Sequence, residues 1–433
     1  MYHFIGIKGS GMASLAAIVA DKGEVVTGSD IDKYIFTQQP LEERGIKITN
    51  FDASNIKENS IVIIGNAFDE SNVEVKQALS MKSVTCYHYH QFLGNLLKDY
   101  VSISVAGTHG KTTTTGILSH VMAEVAPTGY LIGDGTGFMP KDSKYFVLES
   151  CEYKRHFMAY TPDYAIITNI DLDHVDYYHD LKDYISAFEA FAAQVKKGCA
   201  LFGDDVNVRN MKVGKHHLYY GCDAGNDVQA RNIVEGQNDT TYDIYYHNEF
   251  FGHFELPFVG KPFLWNTIGV IAIGIMEGLT AEVLQKALAS FPGVKRRFNI
   301  ETKGDNVYID DYAHHPTAIK LTIEAAKTKY PDKKLIAIFK PDRFSRVYYL
   351  MDQFANAFDE ADEVYLCHFP DNAAKEKGID ISILDLAKLV PNSVVIKEDE
   401  ANAKVLAARE PAVYLFMSSK DIYKFKNIVK SFH

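Results

Sequence analysis

One segment limits the possible folds of this 433-residue chain more than any other: Gly107-Thr108-His109-Gly110-Lys111-Thr112. The apolar run 101–106 leads into it, and a stretch of helical character, 113–122, follows it. A strand, a glycine-containing turn and a helix in this order form a cradle for a nucleotide phosphate, because backbone N–H groups and the positive end of the helix face the anion. Position 105 is valine, so this loop is shorter than the common G-x-x-x-x-G-K-[ST] form.

The side chains of this loop have expected roles. In such loops the lysine reaches the β- and γ-phosphates of the nucleotide, and the hydroxyl that follows it binds magnesium. The sequence therefore predicts a phosphate contact for Lys111 and a Mg²⁺ contact for Thr112. The remainder of the predicted nucleotide cradle consists of Gly107, Thr108, His109, Gly110 and Thr113.

Bulk properties exclude several classes of protein. A net charge of −11 argues against a general nucleic-acid binder, which needs a basic face. The five cysteines lie far apart and form no C-x-x-C pair, so neither a zinc site nor a disulfide framework is indicated. The longest apolar stretch, 267–276, is too short to span a bilayer. We expect a cytoplasmic protein that has no membrane or nucleic-acid partner.

Alternating strand and helix patterns divide the chain into three blocks, at 1–98, 99–297 and 298–433. Short apolar runs alternate with helical stretches throughout, which predicts an α/β fold of doubly wound sheets. Alternating aromatic and polar residues over 228–258 indicate a small antiparallel insertion. The Phe-Pro-Gly break at 291–293 predicts a hinge, and the basic run 295–297 beside it is a candidate charge clamp.

A second glycine loop, Gly6-Ile7-Lys8-Gly9-Ser10-Gly11, follows the first predicted strand. Its spacing is G-x-x-G-x-G, whereas dinucleotide-binding loops read G-x-G-x-x-G. Asp30 lies 19 residues after Gly11, near the place of a ribose-binding acid. We expect this loop to hold a diphosphate. An NAD-dependent oxidoreductase is an alternative that only this loop and Asp30 suggest.

Further candidates stand at the ends of other predicted strands, where ligands of open α/β sheets collect. Glu149 and Glu152 follow the strand at 145–148, and either could bind magnesium. The segment 169–174 follows another strand and places Asp173 and His174 at the same rim. The segment 310–316 ends a strand of the third block and contains paired acids and paired histidines. Two arginines at the start of a predicted helix, Arg343 and Arg346, would lie on one face and could hold an anion.

Together these segments resemble the Mur ligase family, over essentially the whole chain. The segments that carry the resemblance are 6–12, 107–115, 169–174, 293–298 and 310–316, in the family's order. Several of them point to the alanine-adding branch. The resemblance implies a Rossmann-like N-terminal domain for the UDP-sugar, a central P-loop ATPase domain and a Rossmann-like C-terminal domain for the amino acid. It also implies ATP and Mg²⁺ as cofactors, and UDP-N-acetylmuramate and L-alanine as substrates of a monomer or homodimer.

The resemblance also assigns roles to single residues. Thr112 and Glu152 would hold one metal, and His174 would help to hold a second. The adenine would contact Asn266, the ribose Asp310 or Asp311, and Arg297 would act on the nucleotide. The alanine and the acyl phosphate would be surrounded by Tyr312, His314, Arg343 and Arg346, all near the catalytic Lys111 and His174. The UDP diphosphate would lie on Gly9, Ser10, Gly11 and Met12, with Asp30 nearby.

The chain departs from the family's pattern in several places. Pro262 and Phe263 replace a His-Asn pair, Asp342 stands where a histidine is usual, and the segment 418–420 replaces a glycine-containing loop. Asp342 would partly neutralise the two neighbouring arginines. Two alternatives follow: a paralogue that uses another amino acid or muramoyl nucleotide, and a non-catalytic regulator that binds a nucleotide sugar.

Overall fold

The first of three sheets lies near the N-terminus. The computed structural model describes residues 1–214, 216–370, 378–409 and 411–433. The five strands of this sheet are β1 (Tyr2–Ile5), β2 (Val26–Ser29), β3 (Lys47–Thr49), β4 (Ile61–Ile64) and β5 (Thr85–His88), all parallel in the order β3-β2-β1-β4-β5. The helices of this part are α1 (Ser10–Asp21), α2 (Gln39–Glu43), α3 (Val73–Ser80) and α4 (Tyr89–Leu96). The order of connections reverses at β1, so the glycine loop 6–11 lies at a crevice suited to ligands.

The central sheet has ten strands in the order β15-β14-β13-β12-β11-β10-β6-β9-β7-β8. They are β6 (Val101–Ala106), β7 (Thr128–Leu131), β8 (Gly137–Phe138), β9 (Tyr145–Glu149), β10 (Tyr164–Ile167), β11 (Gly198–Phe202), β12 (His217–Gly221), β13 (Val228–Glu235), β14 (Thr240–Tyr246) and β15 (Glu249–Leu256). Its helices are α5 (Lys111–Val125), α6 (Leu181–Ala193), α7 (Val206–Arg209), α8 (Lys261–Met276) and α9 (Ala281–Ala289). Strand β6 lies between β9 and β10 and is parallel to both, so the loops that follow these three strands meet at one edge.

The antiparallel pattern predicted for 228–258 is confirmed by the pairing of β13, β14 and β15. These strands extend the central sheet, because β13 also pairs in parallel with β12. The apolar stretch 267–276 forms the larger part of α8, which begins at Lys261. Pro262 lies in its first turn, where a missing N–H costs nothing.

The third sheet has six strands in the order β16-β17-β21-β18-β19-β20, and β16 alone is antiparallel to its neighbour. The strands are β16 (Asn299–Lys303), β17 (Asn306–Asp311), β18 (Lys334–Phe339), β19 (Glu363–Cys367), β20 (Ser393–Ile396) and β21 (Ala412–Met417). The helices are α10 (Pro316–Lys329), α11 (Phe344–Tyr349), α12 (Met351–Asn356), α13 (Ile383–Ala387), α14 (Glu400–Ala407) and α15 (Ile422–Phe432). Separate hydrophobic clusters cover the two faces of this sheet.

The three sheets confirm the predicted α/β class. One continuous core joins the first two of them, since Phe4 and Ile18 pack in the same cluster as Phe146 and Phe188. Among the helices in the described ranges, none is both long and apolar enough to cross a membrane. The block boundaries at 98 and 297 stay a prediction; they fall between the last strand of one sheet and the first strand of the next.

Candidate active site

The predicted phosphate loop joins β6 to α5, and its two glycines have backbone angles that other residues rarely adopt. The φ angle is 131° at Gly107 and 83° at Gly110. A Cβ atom at Gly107 would lie 2.1 Å from Thr168 Oγ1, and one at Gly110 would lie 2.7 Å from Asn266 Oδ1. In the described part of the chain, no side chain caps the start of α5. The first N–H groups of this helix are thus left for an anion.

Lys111 is the first residue of α5, and its ammonium folds over the loop. Nζ donates hydrogen bonds to the backbone oxygens of Gly107 and Thr108 and to Glu152 Oε1, the last at 3.0 Å. Burial alone would lower the pKa of Lys111, but the carboxylate of Glu152 outweighs it and raises this pKa. The side chain is therefore a fixed positive charge at the mouth of the phosphate cradle.

The two candidate metal-binding glutamates have different surroundings. Glu149 Oε2 accepts a hydrogen bond of 2.8 Å from the N–H of Gly133, so this carboxylate anchors a neighbouring loop. Glu152 is buried, and its Oε1 lies 3.0 Å from Lys111 Nζ and 3.4 Å from His174 Nε2. Burial alone would raise the pKa of Glu152, yet these two partners lower it. Glu152 is therefore an ionised carboxylate at the phosphate loop.

The donor atoms around this carboxylate fit a magnesium ion. Within the described residues, Glu152 Oε2 is buried without a hydrogen-bond partner, as is His174 Nδ1. The Thr112 hydroxyl, on the residue that follows Lys111 in α5, accepts a hydrogen bond of 2.7 Å from Arg297 Nη2. Mg²⁺ prefers one or two carboxylates together with hydroxyl, phosphate and water oxygens. Glu152 and Thr112 supply this set, whereas an imidazole such as that of His174 is a less usual ligand for it.

His174 has a left-handed backbone conformation, with a φ of 53°. Its N–H donates a hydrogen bond of 2.8 Å to Oδ1 of Asp173, and its ring centroid lies 4.7 Å from that of Tyr153. A non-glycine residue keeps this conformation only where its surroundings hold it. Asp173 and Tyr153 therefore help to keep the imidazole beside Glu152.

Arg343 and Arg346 do not form the joint clamp that their spacing predicts. Arg346 is buried, and its Nε and Nη2 donate to Asp173 at 3.1 Å while its Nη1 donates to Asp342 Oδ1 at 2.6 Å. Arg343 Nη1 instead lies 3.4 Å from Asp176 Oδ1 at the rim. The expected neutralisation by Asp342 is thus present at Arg346, and Arg343 is the more accessible of the two cations.

A second contact between sheets centres on Asp171. Its Oδ2 accepts a hydrogen bond of 2.6 Å from Thr317 Oγ1, and it lies 3.2 Å from His109 Nε2 and 3.5 Å from His315 Nδ1. Burial is the main cause that lowers the pKa of His315, so its ring is neutral. The phosphate-loop histidine and the start of α10 therefore share one carboxylate.

A cavity of about 970 Å³ opens beside the phosphate loop. It is large enough for a nucleotide, since ligand sites commonly enclose about 300–1,000 Å³. Asn266, predicted to contact adenine, is in its wall next to Gly110. Other residues in the wall include His109, Asn169, Asp171, Phe202, Trp265, Thr317 and Lys320.

The structure separates the two acids predicted near the ribose. Asp311 borders a smaller cavity that adjoins the phosphate loop, together with Arg297. Its carboxylate also accepts hydrogen bonds from the N–H groups of Phe298 and Ala313. Asp310 lines neither this cavity nor the larger one, and its Oδ2 lies 3.7 Å from Nε of Arg296. Asp311 is therefore the better placed of the two.

The first glycine loop is held by the acid predicted to lie near it. Asp30 Oδ2 accepts a hydrogen bond of 2.7 Å from the N–H of Lys8, so this carboxylate fixes the loop. A Cβ atom at Gly6 would lie 2.1 Å from Phe68, and one at Gly11 would lie 2.8 Å from Tyr89 Oη. The loop ends in α1, whose start has no side-chain cap within the described chain. The predicted diphosphate-binding residues Gly9, Ser10, Gly11 and Met12 lie at this turn.

A cavity of about 170 Å³ lies where all three sheets meet. Ser10 comes from the first part of the chain, Asp134 from the central part, and Tyr312 and Ser419 from the third. The basic run 295–297 completes its wall, and the Arg297 guanidinium lies 4.6 Å from the centroid of the Tyr312 ring. Ser10, predicted to bind the sugar nucleotide, and Tyr312, predicted to lie near the amino acid, therefore line the same space.

His314 lies behind Tyr312, and its Nδ1 is 2.9 Å from the Tyr312 backbone oxygen. Burial, with Arg346 nearby, lowers the pKa of His314 to about 4. The ring is therefore neutral near pH 7 and can accept or donate a hydrogen bond. It carries no positive charge toward a substrate carboxylate.

The sequence interpretation missed the partners that connect these elements. It gave no role to Asp171, Thr317 or Asp176, and it did not connect Asp342 with Ser419, which are 3.0 Å apart. The position of Asp171 was a usable signal, because this acid, like Asp173, closely follows the carboxyl end of β10. The other contacts join separate sheets and leave no local pattern.

Comparisons with known proteins agree with this architecture. Residues 1–101 match the family description "Mur ligase family, catalytic domain", residues 105–274 match "Mur ligase middle domain", and residues 296–420 match "Mur ligase, glutamate ligase domain". The chain is 48% identical to a UDP-N-acetylmuramate–L-alanine ligase of Lactiplantibacillus plantarum, over 99% of this chain and 98% of that protein.

Solved structures give the same result. The UDP-N-acetylmuramate-alanine ligase of Thermotoga maritima superposes with a TM-score of 0.82 at 26% identity, over 100% of this chain and 98% of that one. A murein peptide ligase of Psychrobacter arcticus has the same fold, with a TM-score of 0.71 at 22% identity over 100% and 98% of the two chains. Three matching descriptions in order, and a relative this similar across nearly the full length, establish that the chain belongs to the Mur ligase family and has its three-domain architecture.

Proposed function

We propose that this protein joins L-alanine to the carboxylate of UDP-N-acetylmuramate, with the conversion of ATP to ADP and phosphate, in the synthesis of peptidoglycan precursors. One observation carries the proposal: Lys111, Glu152 and His174 form a compact charged cluster at the phosphate loop. The chain that holds this cluster is 48% identical to an enzyme named for this reaction. The extents that we propose for the three domains are 1–98, 99–297 and 298–433.

ATP would lie in the large cavity with its phosphates on the loop 107–113. The N-terminal end of α5 offers backbone N–H groups to them, and Asn266, in the wall of this cavity, would contact the adenine. Arg297 reaches Thr112 from the hinge, so it would face the same phosphates. Asp311 is the better candidate for the ribose because it borders the adjoining cavity.

A carboxylate is a poor electrophile, so one of its oxygens must first become part of a leaving group. A muramoyl carboxylate oxygen would attack the γ-phosphorus of ATP, and ADP would leave with the electrons of the broken P–O bond. Lys111 neutralises the negative charge on the transferring group, which is largely how such reactions are catalysed. Magnesium, held by Glu152 and Thr112, would supply further charge neutralisation when bound.

The second step would take place in the cavity where the three sheets meet. The alanine amine attacks the carbonyl carbon of the acyl phosphate, the amide forms, and phosphate leaves after the nitrogen loses a proton. Tyr312 and the basic run 295–297 line this cavity. Arg343 is the more accessible of the two arginines and lies over the ring of Tyr153, which packs against His174. Ser10 belongs to the loop proposed to hold the UDP diphosphate, so the sugar nucleotide would enter from that side.

The alternative functions suggested by the sequence require other features of the site than an alanine-adding ligase does. A non-catalytic regulator has no need for an ionised glutamate paired with the loop lysine, and that pair is present here. A different amino acid remains a distinct hypothesis, since Asp342 and Ser419 alter the amino-acid end of the site. We also propose a cytoplasmic location, where ATP and UDP-sugars are available, and a monomer or homodimer.

One experiment tests the proposal. The purified protein is incubated with ATP, Mg²⁺ and UDP-N-acetylmuramate, with L-alanine, glycine or L-serine in parallel, and products are identified by mass. We expect the alanyl product and an equal amount of ADP, with alanine preferred and no product from the Lys111→Met variant. Phosphate release that needs neither the sugar nucleotide nor an amino acid would contradict the proposal.

A further inference from the structure

Arg346 and His174 belong to different sheets, yet one carboxylate joins them. Asp173 Oδ1 accepts a hydrogen bond of 2.8 Å from the N–H of His174. The same carboxylate accepts three hydrogen bonds of 3.1 Å from Nε and Nη2 of Arg346. Arg346 lies on α11, next to the third sheet, whereas Asp173 and His174 follow β10 of the central sheet. The contact between the two domains therefore reaches the backbone N–H of His174 through the Asp173 carboxylate.

Two carboxylates of the protein neutralise the guanidinium of Arg346. Its Nη1 donates to Asp342 Oδ1 at 2.6 Å, so all three guanidinium nitrogens have a carboxylate partner. Only 5% of the Arg346 side chain is exposed, and 12% of that of Asp173. A buried arginine held between two acids is poorly placed to bind the carboxylate of a substrate amino acid.

His174 needs this support. Its φ of 53° is unfavourable for a residue with a Cβ atom, and its N–H has Asp173 as acceptor. The imidazole that results from this conformation lies 3.4 Å from Glu152 Oε1, and Glu152 in turn lies 3.0 Å from Lys111 Nζ. A change in the His174 backbone would therefore move the imidazole away from the charged cluster at the phosphate loop.

We propose that Arg346 is a positioning residue: when the C-terminal domain docks, it pins Asp173 and through it the His174 backbone, and thereby assembles the Lys111–Glu152–His174 cluster. The proposal deepens the proposed function and rests on it. It follows that formation of the acyl phosphate, and not only its reaction with alanine, requires the docked C-terminal domain. This order is useful, because an acyl phosphate made in an open site would be exposed to water.

The alternative role for Arg346 is to bind the alanine carboxylate, as the resemblance to the family suggests. The two roles predict different defects. A residue that binds alanine affects the KM for alanine and leaves the first chemical step intact. A residue that positions His174 affects the first step, even when no alanine is present.

Hydroxylamine separates these steps, because it attacks an acyl phosphate and gives a stable hydroxamate without any amino acid. Hydroxamate formation from UDP-N-acetylmuramate and ATP is measured for the wild type and for Arg346→Lys, Asp173→Asn and Asp342→Asn. The Asp342 variant removes a carboxylate from the same arginine without touching His174. Arg409→Lys is the matched control, because this arginine forms its ion pair with Glu363 inside the C-terminal domain.

We expect Arg346→Lys and Asp173→Asn to lower the rate of hydroxamate formation at least tenfold, with less than a threefold change in the KM for alanine. The double variant should be little worse than either single one. Asp342→Asn should have a smaller effect on the hydroxamate rate, and Arg409→Lys should behave as the wild type. Far-ultraviolet circular dichroism and the thermal midpoint show that each variant is folded; Asp173→Asn, which is isosteric, gives the decisive rate should Arg346→Lys not fold.

Hydroxamate formation at the wild-type rate in Arg346→Lys, combined with a large rise in the KM for alanine, would overturn the proposal and assign Arg346 to the amino acid. A wild-type protein that forms neither hydroxamate nor peptide would instead contradict the proposed function. The two failures are therefore distinguishable.

Discussion

Ser419 Oγ donates a hydrogen bond of 3.0 Å to Asp342 Oδ2. These two residues occupy positions where the chain departs from the pattern of the alanine-adding Mur ligases. Asp342 Oδ1 is already bonded to Arg346, so the hydroxyl of Ser419 satisfies the other carboxylate oxygen. The two departures are thus parts of one local arrangement, and the loss of one should make the other less favourable.

The first prediction concerns this pair. Ser419→Ala removes a hydrogen bond to a largely buried carboxylate, which costs about 1.5–3 kcal/mol of unfolding free energy. Combined with Asp342→Asn, the loss should be smaller than the sum of the two single losses by at least about 0.5 kcal/mol. Urea unfolding of the four proteins measures this coupling. Strict additivity would show that the contact carries no energy.

The second prediction concerns stability at acid pH. Burial alone would raise the pKa of Asp342, but His314 and Arg346 lower it from 3.8 to about 2. Because the pKa of Asp342 is lower in the folded state, its ionised carboxylate stabilises the protein. This contribution is complete above about pH 5 and is lost as the pH falls toward 2. The lowered pKa contributes about 2 kcal/mol to the free energy of unfolding, and roughly half of this contribution is lost by pH 3.

Asp342→Asn cannot ionise, so it serves as the comparison for this titration. Between pH 5 and pH 3, the free energy of unfolding of the wild type should fall by about 1 kcal/mol more than that of the variant. Urea unfolding at intermediate pH values measures both curves. Parallel curves would mean that the carboxylate gains nothing from His314 and Arg346 in the folded protein.

The third prediction concerns the phosphate loop. Gly107→Ala combines an unfavourable φ of 131° with a Cβ atom 2.1 Å from Thr168 Oγ1, so we expect a rise of at least about tenfold in the KM for ATP, since small displacements at a site are costly. Gly225→Ala is the matched control: its φ is 92°, but nothing lies within 4 Å of the added Cβ. It should cost about 1 kcal/mol of stability and leave the KM for ATP unchanged. Equal effects of the two variants on the KM for ATP would show that the clash with Thr168 is not the cause.

The fourth prediction separates the two glutamates. Glu152→Gln should raise the Mg²⁺ concentration for half-maximal activity by at least about tenfold, because a metal site loses its charged ligand. Glu149→Gln disturbs the contact with the Gly133 N–H instead, so its main effect should fall on the KM for the sugar nucleotide. Titration of activity with Mg²⁺ at saturating ATP gives both results. A larger magnesium effect for Glu149→Gln would exchange the two assignments.

The sequence predicted site residues best where polar side chains directly follow a strand. Glycines at 107 and 110, the lysine that follows and the acids after β9 and β10 are close in the chain to the elements that position them. Parallel strands bring their carboxyl ends to one edge, so such local patterns predict which residues meet. For this reason the α/β class and the position of the phosphate loop followed from the sequence.

Contacts between sheets could not be predicted in the same way. The bonds of Arg346 to Asp173 and of Thr317 to Asp171 join residues 173 and 146 positions apart, and only domain docking brings them together. The spacing of Arg343 and Arg346 correctly indicates neighbouring positions on a helix start, but it does not indicate which carboxylates face them. In the docked arrangement Arg346 is buried against Asp173, whereas Arg343 pairs with Asp176 and is partly exposed.

Transfer of a labelled oxygen tests the central claim, that ATP activates the muramoyl carboxylate, most directly. UDP-N-acetylmuramate with ¹⁸O in both oxygens of that carboxylate is converted with L-alanine, ATP and Mg²⁺, and the released phosphate is analysed by mass. The account predicts that each phosphate carries one ¹⁸O atom and that the new amide retains the other. Unlabelled phosphate, with an amide formed at the same time, would contradict it.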